Sequence, residues 1–178
     1  LRSRTVVARF SDHGELGLSH GGLRQKMFNA YEETLRVPFV LNNPLLFPEP
    51  VETNSATTLA DLVPTLLDLA GVPAEGTIDG VSQAPQLAAK ARPGREAAEA
   101  LPAAVRAALD ANAGAAVDHV LFTYDDHQAA TASQDAPGQP NRIRCVRDAR
   151  YTYAVYLDPR GSTPQEYELY DRDADPNQ

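Results

Sequence analysis

Six residues, Thr5-Val6-Val7-Ala8-Arg9-Phe10, run straight into Ser11-Asp12-His13-Gly14. The first group is apolar and β-branched and reads as a short buried strand. The second ends it, with polar side chains and a glycine that lets the backbone turn. An acid and an imidazole on adjacent residues then stand at the C-terminal end of an expected parallel strand, where open α/β sheets hold their ligands. If the backbone turns there, both reach one divalent cation. Oxygen-led ligation suits Ca²⁺, Mg²⁺ or Mn²⁺ better than a structural zinc. The plain alternative is a turn in which Asp12 caps a loop N–H and His13 is incidental. Two ligands do not complete an oxygen-rich shell, so a metal needs further donors from elsewhere.

The rest of the chain supplies a scaffold. A Gly-rich loop (14–22) leads to an expected helix over 23–35, then to a strand over 37–41 with Pro38 at its start. A proline-rich loop follows over 42–56. From Thr58 the apolar residues Leu59, Leu62, Val63, Leu66, Leu67 and Ala70 recur at helical spacing. Thr57 or Thr58 caps this helix, and Gly71 then Pro73 end it. Strand, loop, helix, strand, helix is the order of an α/β sheet. Beyond Gly80 the pattern changes: a linker over 81–94, an Ala-rich helix over 95–111, then strands over 119–124, 142–147, 150–157 and 166–170. These strands read as an antiparallel meander packed on the Ala-rich helix. The expected organisation is an α/β core (1–80), a linker and helix (81–118), and an antiparallel subdomain (119–178).

Charge and composition remove several classes of function. The net charge is −8, which argues against a nucleic-acid or anionic-membrane surface, since phosphates need clustered Lys and Arg. No apolar run approaches the ~18 residues that span a bilayer. The single cysteine, Cys145, excludes an internal disulfide and a Cys-based zinc site. Within a strand pattern it reads as a small buried hydrophobe. The chain opens on Leu1 with no signal-like segment and is read as an internal or C-terminal piece, so its compartment stays open. The excess of Arg over Lys and the abundance of Ala point to a GC-rich, bacterial coding sequence.

One ordered string goes further. Ser11-Asp12-His13-Gly14-Glu15-Leu16-Gly17, His20-Gly21, Lys26, Tyr31-Glu32-Glu33 and Arg36-Val37-Pro38 resemble the sulfatase family of the alkaline phosphatase superfamily. Asp61 to Pro73 is similar to the family's helix before its D-G-x-S segment, here Asp79-Gly80-Val81-Ser82. Ile143-Arg144, Tyr151-Thr152-Tyr153, Glu168-Leu169-Tyr170-Asp171 and Asp175-Pro176-Asn177 are similar to its C-terminal subdomain. The resemblance implies the C-terminal part of an alkaline-phosphatase-like α/β sheet, followed by a small α+β subdomain. It implies hydrolysis of a small-molecule sulfate ester, with Asp12 and His13 as metal ligands and Ca²⁺ as the first choice of metal. Lys26 corresponds to the lysine that meets the sulfate oxygens, where an ammonium offsets charge building in the transition state. The family's formylglycine nucleophile sits in a C/S-x-P-x-R string that these 178 residues lack. It is expected in sequence upstream, and the chain alone is expected to have no turnover.

Three sites stay open between readings. His20 is either a proton donor or substrate contact, or a brace for its loop. Arg36 either anchors the start of the following strand through a carboxylate or touches substrate. Tyr124, Asp125 and His127, at the end of another strand, either line the pocket mouth and select the alcohol or form an ordinary acidic loop start. The alternatives to a sulfatase are a phosphodiester or phosphonate ester hydrolase of the same superfamily, and a non-catalytic binding protein that keeps the fold. The natural substrate and the oligomeric state are not readable from the residues.

Overall fold

The computed structural model describes residues 5–26, 28–91, 99, 101–103, 106–107, 116–127 and 140–176. The expected Ala-rich helix over 95–111 falls mostly outside them. Two compact units form, and neither is continuous in sequence. One comprises Leu1–Phe10 with Phe39–Asp118, the other Ser11–Pro38 with His119–Gln178.

In the first unit, β1 (Val7–Phe10) pairs with β2 (Phe39–Asn42). The pairing is antiparallel, with Phe10 opposite Phe39 and Val7 opposite Asn42. That corrects the expected parallel arrangement. The chain re-enters beside the residue at which it left, and a parallel pair needs a crossover that returns it to the start of the strand. Residues 11–38 hold no such long helix. The expected helix over 23–35 is reduced to α2 (Glu32–Leu35), preceded by α1 (Ser19–Gly22), a single irregular turn.

The capping signals further along are present. Thr58 and Asp61 form a capping box over a 3-10 turn (Leu59–Asp61), which continues as α3 (Leu62–Ala70) and stops at Gly71 in the left-handed region (φ 69°). Pro64 sits in the first turn of α3, where its missing N–H has no helical partner to lose. Part of the expected linker is instead α4 (Ala84–Ala91). Its small residues Ala84, Ala88 and Leu101 beyond it form a core with Leu46 and Leu69. Asp61 ties the turn after Gly80 to this helix pair: its carboxylate accepts from Val81 N (2.7 Å) and Gln83 Nε2 (3.1 Å). A Cβ on Gly80 would stand 2.1 Å from the Ala60 carbonyl oxygen, which is why the Asp79-Gly80 step needs glycine.

The second unit is the expected meander. Strands β3 (Val120–Asp125), β4 (Arg142–Arg147), β5 (Tyr151–Leu157) and β6 (Glu166–Asp171) pair in sequence order, all antiparallel. One face buries Ile143, Cys145, Ala154 and Tyr156 with Ala30, and Phe28, Leu35 and Phe122 pack around them. Cys145 is free and buried, as its strand position suggested. Glu32 reaches this sheet through a two-pronged ion pair with Arg147 (2.5 and 2.9 Å), with Arg172 at 3.6 Å. The 11–38 segment thus belongs physically to the meander, and it carries most of the candidate site residues.

Candidate functional site

Asp12 and His13 follow immediately on β1. Ser11 Oγ donates to the His13 carbonyl (2.7 Å), and His13 N–H donates to Asp12 Oδ1 (3.0 Å). The turn is held by its own side chains, as the plain reading of a capped loop expects. It also aims the imidazole. His13 Nδ1 lies 2.8 Å from the Gly14 carbonyl oxygen, which can only accept, so Nδ1 carries the hydrogen and Nε2 presents a lone pair. Asp12 Oδ2 stands 3.4 Å from that Nε2, and the Lys26 ammonium donates to it. Asp12, His13 and Lys26 therefore converge on one point, with the Asp12 side chain largely open to solvent.

Gly14 fixes this turn against α2. Its N–H donates to the Thr34 carbonyl (2.9 Å), and a Cβ would lie 1.8 Å from the Glu33 carbonyl oxygen. The following loop is conformationally unusual. Gly17, Gly21 and Gly22 have positive φ, and so do Leu18 (78°), His20 (50°) and Phe28 (57°). Each of the three non-glycines costs about 1–2 kcal/mol in that region and needs compensation. For His20 the compensation is visible. Its ring stacks on Tyr31 (centroids 3.8 Å, planes within 7°), and its Nε2 donates to Glu33 Oε2 at 3.0 Å. Burial pushes the Glu33 carboxyl up. The His20 hydrogen bond, a bond from its own backbone, the His20 charge and the Ser19 hydroxyl together outweigh that and hold it below its ordinary value. The His20 ring is thus held on its face by Tyr31 and at Nε2 by Glu33.

The second expected cluster is differently engaged. Asp125 pairs with Arg144 (2.6 Å) and Arg142 (4.0 Å). The Arg144 hydrogen bond above all keeps its carboxyl below the usual range. Tyr124 is 39% exposed and meets Phe28 edge-on at 6.1 Å, two residues beyond Lys26. Burial and the nearby Asp126 charge raise its hydroxyl. His127 is exposed where the described strand end stops. Arg36 is exposed at the end of α2, its N–H bonded to the Glu32 carbonyl (2.8 Å).

Two features were not assigned roles from sequence: Glu33 as the partner of His20, and Glu32 as the partner of Arg147. Both lie in the Tyr31-Glu32-Glu33 string, so the residues were visible and their partners were not.

Among the described residues, no group of three or more His, Cys, Asp or Glu is arranged to hold a metal. Asp12 and His13 fit two positions of a divalent-cation shell by donor type and by convergence, and no more than two. No helix of the described residues is long and apolar enough to cross a membrane.

A family model described as Sulfatase matches residues 1–72. The Delta 4,5-hexuronate-2-O-sulfatase of Bacteroides thetaiotaomicron is 28% identical over 176 residues, which is 98% of this chain and 29% of that protein. Arylsulfatase K of Bos taurus is 33% identical over 85 residues, covering 48% of this chain and 15% of that protein. The solved structure of BT4656 in complex with its substrate D-glucosamine-2-N,6-O-disulfate matches with a TM-score of 0.62 at 24% identity, over 98% of this chain and 29% of that one. The chain thus spans less than a third of the length of each of these relatives, and the structural likeness is one of fold.

Proposed function

We propose that this chain, whose residues 1–72 match the Sulfatase family model, is part of a sulfatase and contributes part of the active site of a metal-dependent sulfuric ester hydrolase. Asp12 Oδ2 and His13 Nε2 are the two donors it offers to a divalent cation, with Ca²⁺ preferred because a carboxylate-led shell suits a hard ion. Bound there, such an ion supplies positive charge that polarises the ester's oxygens. The remaining steps rest on the chain's own groups. Gly14 O holds the hydrogen on His13 Nδ1, so the Nε2 lone pair is the one that would meet the cation. The Lys26 ammonium stands beside it, where it binds the sulfate oxygens and offsets charge gathering on the departing oxygen. Tyr124 and His127 are the strand-end groups available to the alcohol portion, while Asp125 acts on the strand through its arginines.

The observation that supports this reading is the convergence of Asp12, His13 and Lys26 on one point. The nucleophile and the other metal ligands belong, in this reading, to sequence outside these 178 residues, so the isolated chain has no turnover. The experiment is hydrolysis of an aryl sulfate beside an aryl phosphodiester by the full-length polypeptide that contains this chain. Chelation abolishing sulfate hydrolysis, and Asp12→Ala and Lys26→Met each lowering it more than about a hundredfold, is the expected result. Activity indifferent to all three refutes the site. A strong preference for phosphorus refutes the choice of ester.

A further inference from the structure

The His13 imidazole has one free lone pair, and an ammonium and a divalent ion both need it. Nδ1 carries the ring hydrogen toward the Gly14 carbonyl oxygen at 2.8 Å, so Nε2 is the only acceptor of the ring. The Lys26 ammonium donates to that atom, and Asp12 Oδ2 stands 3.4 Å from it. A metal ion takes such a lone pair at about 2.0–2.6 Å, inside the space that an ammonium nitrogen fills when it donates there. One occupant excludes the other. The ammonium can leave without disturbing the fold around it. The loop before it is closed by two backbone bonds, Leu18 N–H to Leu23 O (2.9 Å) and Leu23 N–H to Ser19 O (3.0 Å), and Leu16 is buried. After it, Phe28 packs against the meander core and meets Tyr124 and Tyr156 edge-on. Lys26 is half-buried between these two fixed points, and its flexible four-carbon stem lets the ammonium alone move.

We propose that Lys26 is a place-holder at the cation position: its ammonium keeps the His13 Nε2 lone pair until a divalent cation is bound there, and then turns onto the ester. This rests on the reading of Asp12 and His13 as cation ligands, and it adds an order of binding to that reading. Before the exchange the imidazole is capped and the ammonium is engaged, so neither serves an anionic ester. After it, Nε2 and Asp12 Oδ2 face the cation, and the ammonium is released to meet the sulfate oxygens as a point charge with three donors. The exchange weakens cation binding, because the ammonium–imidazole hydrogen bond has to break first. Removing the ammonium therefore tightens it.

The test is calorimetric titration of Ca²⁺ into the metal-stripped full-length polypeptide that contains this chain, at neutral pH and about 0.15 M salt. Lys26→Met keeps a long stem and removes the ammonium. It is expected to bind Ca²⁺ more than about threefold more tightly than the native protein, a factor set by the hydrogen bond that no longer has to break. Arg24→Met removes an exposed cation two residues away and is expected to change the affinity by less than about twofold, since salt screens an exposed charge. Asp12→Ala is expected to weaken binding about tenfold or more, through loss of a carboxylate ligand. A smaller gain in Lys26→Met, or a loss, beside a weakened Asp12→Ala overturns the place-holder and leaves the site standing. Equal tightening in Lys26→Met and Arg24→Met overturns it as well, because general charge then accounts for both. Ca²⁺ binding indifferent to Asp12→Ala removes the site reading, and this inference falls with it. Should Lys26→Met fail to fold, Lys26→Ala is held to the same outcomes.

Discussion

Replacing Tyr156 by Phe removes one oxygen from the centre of the meander unit. That hydroxyl accepts from the Ala30 N–H (3.2 Å) and donates to Glu168 Oε2 (2.8 Å). It thereby joins the segment leading to Tyr31 and His20 to strands β5 and β6. Burial first, and the Glu168 carboxylate next, raise the hydroxyl far above its ordinary value, so it stays a donor at any working pH. In Tyr156→Phe the ring remains and two partners lose their bond. Ala30 is 1% exposed, and an orphaned buried N–H costs about 1–3 kcal/mol. Glu168 is half-buried and regains water, so its share falls to about 0.5–1 kcal/mol. The expected loss is about 2–3 kcal/mol. With a urea dependence of about 1–3 kcal/mol per molar, the unfolding midpoint should fall by about 1 M or more. Amide exchange at Cys145 and Ala154 reads the same loss inside the unit that carries the tyrosine. A change below about 0.5 kcal/mol in both measurements would refute the assignment of Tyr156 as the polar tie between the site segment and the sheet.

Three further outcomes are expected. Gly14→Ala places a methyl 1.8 Å from the Glu33 carbonyl oxygen, so the turn must separate from α2 at a cost of about 3 kcal/mol or more; a native melting temperature contradicts this. Burial pushes the Cys145 thiol up to about 11, so a disulfide reagent at pH 8 should leave the folded chain untouched and label it in urea. Rapid labelling of the native chain excludes the buried position. Asp158 closes the β5–β6 turn by accepting from the Ser162 hydroxyl and from Arg160, Ser162 and Thr163 N–H, and the Ser162 hydroxyl leads in holding its carboxyl below the usual value. A lowered native value means its stabilisation is full above the unfolded carboxyl's value of about 3.9 and fades as pH falls through the native one. Exchange at Ser162 and Thr163 corrected for intrinsic rates should therefore accelerate below that range, and Asp158→Asn should remove the dependence.

The local grammar of the chain was legible where the signal lies within a few residues. Thr58 with Asp61, the apolar period from Leu59 to Ala70, and Gly71 describe a capped helix without outside help. The four C-terminal strands stand out by β-branched and aromatic runs broken at Asp148-Ala149 and Pro159-Gly161. The Asp12-His13 doublet stood out as a candidate ligand pair by residue type, and Lys26 became a candidate through the family resemblance. The region 23–35 misled, since it was read as one helix. Phe28 takes a left-handed backbone, the loop before it is anchored through His20, and only Glu32–Leu35 coil. The α4 helix had its signal, with Ala84, Ala88 and Ala91 at helical spacing, and weak patterning over 81–94 hid it.

What the sequence determined by itself was the order of the candidate groups: an acid, an imidazole and an ammonium, on strands and turns whose propensities are short-range. What only the tertiary structure decided was who meets whom. The antiparallel pairing of β1 with β2, the migration of residues 11–38 into the meander unit, the Glu32 pair with Arg147, and the grip of Glu33 on His20 all join residues from 13 to more than 100 positions apart. Such contacts follow from the shape into which apolar faces close, and a polar group then pairs with whatever that closure brings within 3 Å.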